Sequence, residues 1–217
     1  SGTTTASVFD AVYAWAAHTR AIPELRFVNH YHDEPAYIEA LVKRVRRFWQ
    51  DNGRGERLVM SFHGLPQRNL ELGDPYHCEC LKTARLLANR LGLGKDDYMV
   101  TFQSRLGRAK WLGPYTEPSL VKLAHTGVQR VDVVCPGFTS DCLETLEEIA
   151  MEAKAAFLAA GGKQFDYIPC LNDQPEWINA LCTVSLQHLQ GWPTQPVDDA
   201  DTRAGTNARA LAKGAKQ

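Results

Sequence analysis

The chain has 217 residues, 44% of them apolar, enough to build one sizeable core or two small ones. Twenty-four basic residues against twenty-five acidic ones leave a formal net charge of −1, and without a basic excess or stripe there is no electrostatic case for a nucleic-acid partner. No apolar run approaches the roughly 20 residues that span a bilayer, and SGTTTASVFDAV has neither the basic segment nor the apolar stretch of a secretion signal, so the chain reads as soluble, unexported and cytoplasmic.

The first element is a helix, SVFDAVYAWAAH. It places Val8, Phe9, Val12, Tyr13 and Trp15 on more than one face and so needs cover on several sides. Together with an initial Ser in place of Met, this predicts a fragment whose missing cover lies upstream. ELRFVNHY predicts a strand, and Pro35 opens a helix carrying Ile38, Leu41, Val42, Val45 and Phe48. ERLVMSF is the next predicted strand. It runs into His63, Gly64, Leu65 and Pro66, with no helix expected for about ten residues, until Asp74 as N-cap and Pro75 in the first turn open one that Gly92 stops.

DYMVTFQ is the third predicted strand, followed by a loop from Ser104 to Glu117 and a short helix ending near Gly127. RVDVVCP is the fourth; its helix is predicted from Asp141, where Asp-x-x-Glu to Glu144 resembles a capping box, to Gly161-Gly162. FDYIPCL is the fifth, and Asp173, Pro175 and Glu176 open a last helix that ends at Gly191. From Trp192 the chain is polar and turn-rich, with one weak helical patch near its end, and reads as a tail outside the core.

Strands that are apolar throughout, alternating with helices, predict a doubly wound parallel α/β sheet of about five strands with helices on both faces. Ligands of such folds bind beyond the carboxyl ends of the strands, where strand order reverses. His63 and the loop from Pro136 to Asp141 are both predicted to lie there. A histidine at a strand end is most often only a hydrogen-bonded structural residue. Here the Gly-Leu-Pro segment leaves a shaped loop beside the imidazole, which favours a functional role.

On the helix after the fourth strand, Asp141, Glu144, Glu148 and Glu152 fall within about 80° of arc at helical spacing and form one acidic stripe. Leu146, Ile149, Ala150, Ala153 and Phe157 form the predicted core face. A solvated surface is the ordinary fate of such a stripe, but its i, i+4 neighbours are like charges, which costs a few tenths of a kcal/mol per pair and invites a cation. Glu144 and Glu152 would lie on the order of 12 Å apart, which suits a path or two successive cation sites and not one cage. An imidazole facing a carboxylate makes a proton acceptor at neutral pH, and that donor pair suits Fe(II) better than carboxylates alone.

Other signals are weaker. His77-Cys78-x-Cys80 has no second pair at zinc spacing, so structural cysteines are favoured there. The six cysteines, in a chain too long to need staples, are read as reduced thiols. QSRLGRAKWLGP has glycines and bases but neither phosphate-loop spacing, and no predicted strand is followed by the nicotinamide fingerprint. Trp111, in that loop beside two glycines and a proline, serves equally well as a core residue or as a platform for a flat ligand.

TTTASVFDAV, PELRFVNHYHDEPAYI, SFHGLPQR, GDPYHCEC, FQSRLGRAKWLGPYTEP, CPGFTSDCLETLEEI and YIPCLND together resemble the C-terminal two-thirds of a bacterial ferrochelatase. The resemblance implies a Rossmann-like, chelatase-type fold and insertion of Fe(II) into protoporphyrin IX to make heme, with release of two protons. Fe(II) would be a substrate. His63 corresponds to the family's active-site histidine and Glu144 to the glutamate across the porphyrin from it. Asp141, Glu148 and Glu152 match acidic positions beside that glutamate, giving a metal-handling set of His63, Glu144, Asp141, Glu148 and Glu152. Trp111 and Ser61 would line the porphyrin pocket. Residues 1–32 would close a missing N-terminal domain and its crossover, 33–191 form the C-terminal chelatase domain, and 192–217 the tail.

Cys142 stands where many family members have histidine, which removes one candidate ligand. With the other wall of the cleft absent, the resemblance implies that this polypeptide alone has little or no activity. No cysteine follows Gly191, so an iron–sulfur cluster of the kind some members carry there is not expected. Peripheral association with membranes that hold the porphyrin is compatible with this reading. The alternative is a non-enzymatic tetrapyrrole or metal carrier on the same fold.

Overall fold

The computed structural model describes residues 1–195 and 200–216. Four parallel strands form the sheet: β1 (Arg57–His63), β2 (Tyr98–Gln103), β3 (Arg130–Val134) and β4 (Gln164–Ile168), in the order β2-β1-β3-β4. The register pairs His63 with Gln103 on one side of β1 and Met60 with Val134 on the other. The chain steps from β1 outward to β2 and then returns across β1 to β3. Strand order therefore reverses between β1 and β3, and the ends of these two strands flank the position where doubly wound sheets bind ligands.

Helices cover both faces because successive strand residues point to opposite sides. On one face Leu58, Met60 and Phe62 pack with Phe102 and Ile168 against α2 (Pro35–Asn52), α4 (Tyr76–Leu91) and α8 (Pro175–His188), the central members being Val42, Val45, Leu87 and Trp177. On the other, Val59, Val131 and Val133 meet Leu120 and Leu123 of α5 (Thr116–His125) and Ile149, Ala153 and Phe157 beyond β3. A large side chain with no exposure contributes about 1.5–3 kcal/mol, so both faces stabilise the sheet.

The expected strand at ELRFVNHY is not formed. Its apolar side chains are drawn to two different places: Phe27 stacks on Phe9 and Tyr13 of α1 (Ser7–Ala17), at 4.3 and 5.0 Å between ring centroids, while Tyr31 joins Tyr37 of α2 and Trp177 of α8. Arg26 reaches the carbonyls of His188 and Gln190. The segment thus runs across helix ends and does not lie along a sheet edge. Before α1 the chain makes a wide turn of π-helix over Gly2–Ala6, and of α1 only Ala16 is buried. Val8, Tyr13 and Trp15 are each more than half exposed, which leaves the multiple apolar faces of this helix largely without cover.

Two helix boundaries also differ from expectation. A short helix, α3 (Gln67–Glu71), starts directly after Pro66, so the ten helix-free residues expected after His63 shrink to three. After β3 the helical segment starts at α6 (Leu143–Leu146), with Cys142 as N-cap in a reciprocal cap with Thr145, not with Asp141 and Glu144. It continues as a π-helical stretch over Glu148–Ala153 and then as α7 (Lys154–Ala159). The Glu152 amide bonds the Glu147 carbonyl five residues back, and this wider turn shifts the helical phase. The acidic positions consequently do not follow one straight stripe, and Leu146, expected in the core, is half exposed.

Other boundaries follow their chemistry. α4 starts one residue later than expected, with Pro75 and not Asp74 as N-cap, although Asp74 still accepts from the Tyr76 amide; Gly92 ends the helix in the left-handed conformation. Beyond α8, the helix α9 (Ala200–Ala212) buries no residue. Residues 196–199 and 217 of the expected tail lie outside the described residues.

Candidate active site

The carboxyl end of β1 is locked to its neighbour by an approach that only glycine allows. The Gly64 amide bonds the Gln103 carbonyl at 2.7 Å. A Cβ on Gly64 would stand 2.7 Å from that oxygen and 3.1 Å from Cε3 of Trp111. Further bonds from Leu112 to the Leu65 carbonyl and from Gln67 to the Lys110 carbonyl, each 2.8 Å, join the loops after β1 and β2. Trp111 therefore forms a wall beside the histidine loop. It is half-buried, and its Nε1 is shielded from solvent without a hydrogen-bond partner.

His63, the last residue of β1, is half-exposed. Its Nδ1 lies 2.6 Å from the Gly64 carbonyl oxygen. A carbonyl can only accept, so Nδ1 carries a ring proton, and in the neutral ring Nε2 keeps the lone pair. Tyr76 donates its hydroxyl to the His63 carbonyl at 2.9 Å, and the ring of Phe138, from the loop after β3, lies 6.1 Å from the imidazole. These contacts fix the backbone, the tautomer and one flank of the ring.

Gln103 links this histidine to the acidic segment. Buried, and register partner of His63, it accepts from Ser61 through Oε1 at 2.7 Å and donates through Nε2 to the Glu144 carbonyl at 2.7 Å. The Cys142 thiol and the Glu144 backbone N–H bond the Glu144 carboxylate and hold it below the usual carboxylate range, and attraction to the His63 imidazole acts in the same direction. Burial, reinforced by that carboxylate, pushes the Cys142 thiol up. Leu143 and Leu146, on the same turn as Glu144, are 69% and 50% exposed. An imidazole and a carboxylate thus share a rim with uncovered apolar side chains.

The other acidic residues have different tasks. Glu148 accepts from the Ser104 amide at 2.6 Å and from its hydroxyl at 2.5 Å, tying the π-helical stretch to the start of the 104–115 loop. Asp141 is turned toward the end of β4, where Tyr167 at 2.6 Å, Asn172 at 2.6 Å and the Cys170 amide at 3.1 Å all donate to it. Burial would raise its pKa, but these donors outweigh burial and hold it below the ordinary value. Glu152 is exposed. Ser61 has no exposure, and its hydroxyl is occupied by Gln103 and Thr116. It cannot line the pocket as expected; it braces Gln103 from below.

The structure therefore brings together His63, Trp111 and Glu144, with Glu148 joined to them through Gln103, and separates Asp141, Glu152 and Ser61. Gln103, Tyr76, Phe138 and Leu143 were not singled out from the sequence, and Leu146 was assigned to the core. For Gln103 a signal was present: a polar residue closing a mostly apolar strand. His77 stacks on Phe102 at 5.5 Å, Cys78 is exposed and Cys80 is buried, so that trio is divided between core and surface.

The family model described as Ferrochelatase matches residues 1–189. Among curated proteins, the chain is 67% identical over 215 residues to a protein named Ferrochelatase from Polaromonas sp. (strain JS666 / ATCC BAA-500), covering 99% of this chain and 59% of that protein. It is 65% identical over 213 residues to one from Methylibium petroleiphilum, covering 98% and 59%. With one from Azoarcus sp. (strain BH72) it shares 56% over 218 residues, covering 100% and 60%. The chain spans about three fifths of the length of these relatives. It belongs to the ferrochelatase family.

Proposed function

We propose that this chain supplies the metal-and-proton wall of an enzyme that inserts Fe(II) into protoporphyrin IX. The observation that carries the reading is the His63 imidazole, fixed through Nδ1 by the Gly64 carbonyl, near a Glu144 carboxylate whose pKa is held low in part by that imidazole. Insertion replaces two pyrrole N–H protons by one Fe²⁺, so two protons must leave as the ion enters. A neutral imidazole is a competent acceptor for such a proton near neutral pH. A carboxylate that stays ionised can hold the incoming ion, and the second proton then passes to water. Leu143, Leu146 and the Trp111 wall offer apolar contact to a flat macrocycle.

Glu148 keeps the 104–115 loop and the π-helical stretch in register, and Glu152, exposed one turn further on, would meet cations first. The relatives are longer than this chain, and a planar ligand needs two walls, so this polypeptide alone should turn over little or not at all. Among the described residues no helix is long and apolar enough to cross a membrane; a cytoplasmic enzyme would meet its porphyrin by peripheral contact.

The test is anaerobic Fe(II) with protoporphyrin and the full-length protein. An enzyme converts free-base absorption to heme bands over many turnovers. A carrier on the same fold would only shift the porphyrin spectrum, and that result would overturn the reading.

A further inference from the structure

Away from His63 and Glu144, three metal-ligating side chains converge where the extended segment after α1 passes the first turn of α4. His30 Nδ1 lies 2.5 Å from Glu79 Oε1, and His32 Nδ1 lies 3.7 Å from the same oxygen. One ligand atom from each of the three residues falls within 4.8 Å of the others, a spacing that no other set of three His, Cys, Asp or Glu reaches among the described residues. We propose that His30, His32 and Glu79 form a separate site for one divalent transition-metal ion of the Zn(II) or Fe(II) class. The proposal rests on this cluster and not on the reading of the cleft.

Three observations support it. His32 Nδ1 is buried and has no hydrogen-bond partner, an unfavourable state for a ring nitrogen that a ligand would relieve. The backbone on which it sits is held by Thr83, whose hydroxyl donates to the His32 carbonyl at 2.7 Å. His30 Nε2 lies 2.7 Å from Nδ2 of the Asn29 side-chain amide; ligation through Nδ1 places the ring proton on Nε2, and the amide must then turn its oxygen to that N–H to make the outer contact that orients metal-bound imidazoles. Space is available as well: the three residues border a cavity of about 240 Å³ that Tyr37, Tyr76 and Pro136 also line.

The donor set selects the ion. Two imidazoles and one carboxylate suit Zn(II) or Fe(II) and leave positions open to water, whereas Mg²⁺ and Ca²⁺ prefer oxygen donors throughout. Bonds of roughly 2.1 Å in tetrahedral geometry separate ligand atoms by about 3.4 Å. The His30–Glu79 contact would open by under an ångström and the His32–Glu79 one would close slightly. With both imidazoles neutral and the carboxylate ionised, binding needs no co-reactant.

The experiment uses the full-length protein carrying H63A and E144Q, so that the cleft pair contributes no binding, stripped with a chelator and titrated with Zn(II) alone against a chromophoric competitor. One bound equivalent is expected, with two imidazoles in its X-ray absorption signature. Adding H32A is expected to weaken binding by more than the roughly 10–100-fold that loss of an outer-shell partner causes. E79Q, which keeps the shape and removes the charge, should do likewise and serves as the reading if H32A lowers the fold content by circular dichroism. No bound Zn(II) in the doubly substituted protein, or binding untouched by both H32A and E79Q, would overturn the proposal.

Discussion

Gly64 shows how closely a single residue can tie the fold to the site. Its missing Cβ leaves room for the Gln103 carbonyl and the Trp111 ring on either side of the histidine loop. Gly64→Ala would push two rigid neighbours apart, and overpacking of this kind costs about 1–3 kcal/mol. The expected outcome is a lower denaturant midpoint together with a displaced His63, read as a shifted imidazole resonance. An unchanged midpoint would mean that the loops separate freely. Asp141 supplies a second case. Its folded pKa lies below its unfolded value because Asn172, Tyr167 and Cys170 donate to the ionised carboxylate. The stability it contributes is therefore present in full above pH ~4 and lost as pH falls through the lowered folded pKa. Asp141→Asn should destabilise by about 1–2 kcal/mol at pH 7, discounted for its partial exposure, and by much less at pH 3. Urea unfolding at the two pH values checks the sign. Equal losses at both would contradict it.

At the scale of elements, the strand-to-helix alternation was legible because it depends on apolar periodicity and on Pro, Gly and Asp punctuation. The starts of α2 and α4, the stop at Gly92 and the four core strands all follow from those signals. The failures have physical causes. ELRFVNHY has strand composition, but Phe27 and Tyr31 belong to two different aromatic groups, and composition carries no information about which neighbour claims a side chain. The π-helical turn at Glu148–Ala153 is equally invisible, since a 100° spacing assumes the ordinary helix. That turn rearranged the predicted acidic stripe. Leu143, Leu146 and Met151 are exposed around Glu144 and Glu148. Replacing the exposed Leu143 by Ser is expected to change stability by no more than about 0.5 kcal/mol while weakening protoporphyrin binding, measured by fluorescence quenching in the full-length protein. Unaltered porphyrin affinity would remove α6 from the proposed contact surface.

For the whole molecule, the candidate site was half legible. Position at the carboxyl end of β1 singled out His63, and the resemblance assigned Glu144; the reversal of strand order between β1 and β3 explains why both loops meet. What could not be read was which acids face the gap, because Asp141 and Glu148 are claimed by hydrogen-bond partners far away in sequence. The rim that carries His63, Glu144 and the exposed leucines is a single wall. This chain by itself should therefore bind protoporphyrin weakly and form heme far more slowly than the full-length protein in the same anaerobic assay. Equal rates would show that one wall suffices.

The proposed insertion chemistry depends most directly on the imidazole of His63. Full-length protein with His63→Ala should still quench protoporphyrin fluorescence, because the apolar rim is intact, and should form no heme from Fe(II) under anaerobic conditions. Heme formation by this variant at the rate of the unsubstituted protein would contradict the central role given to that side chain.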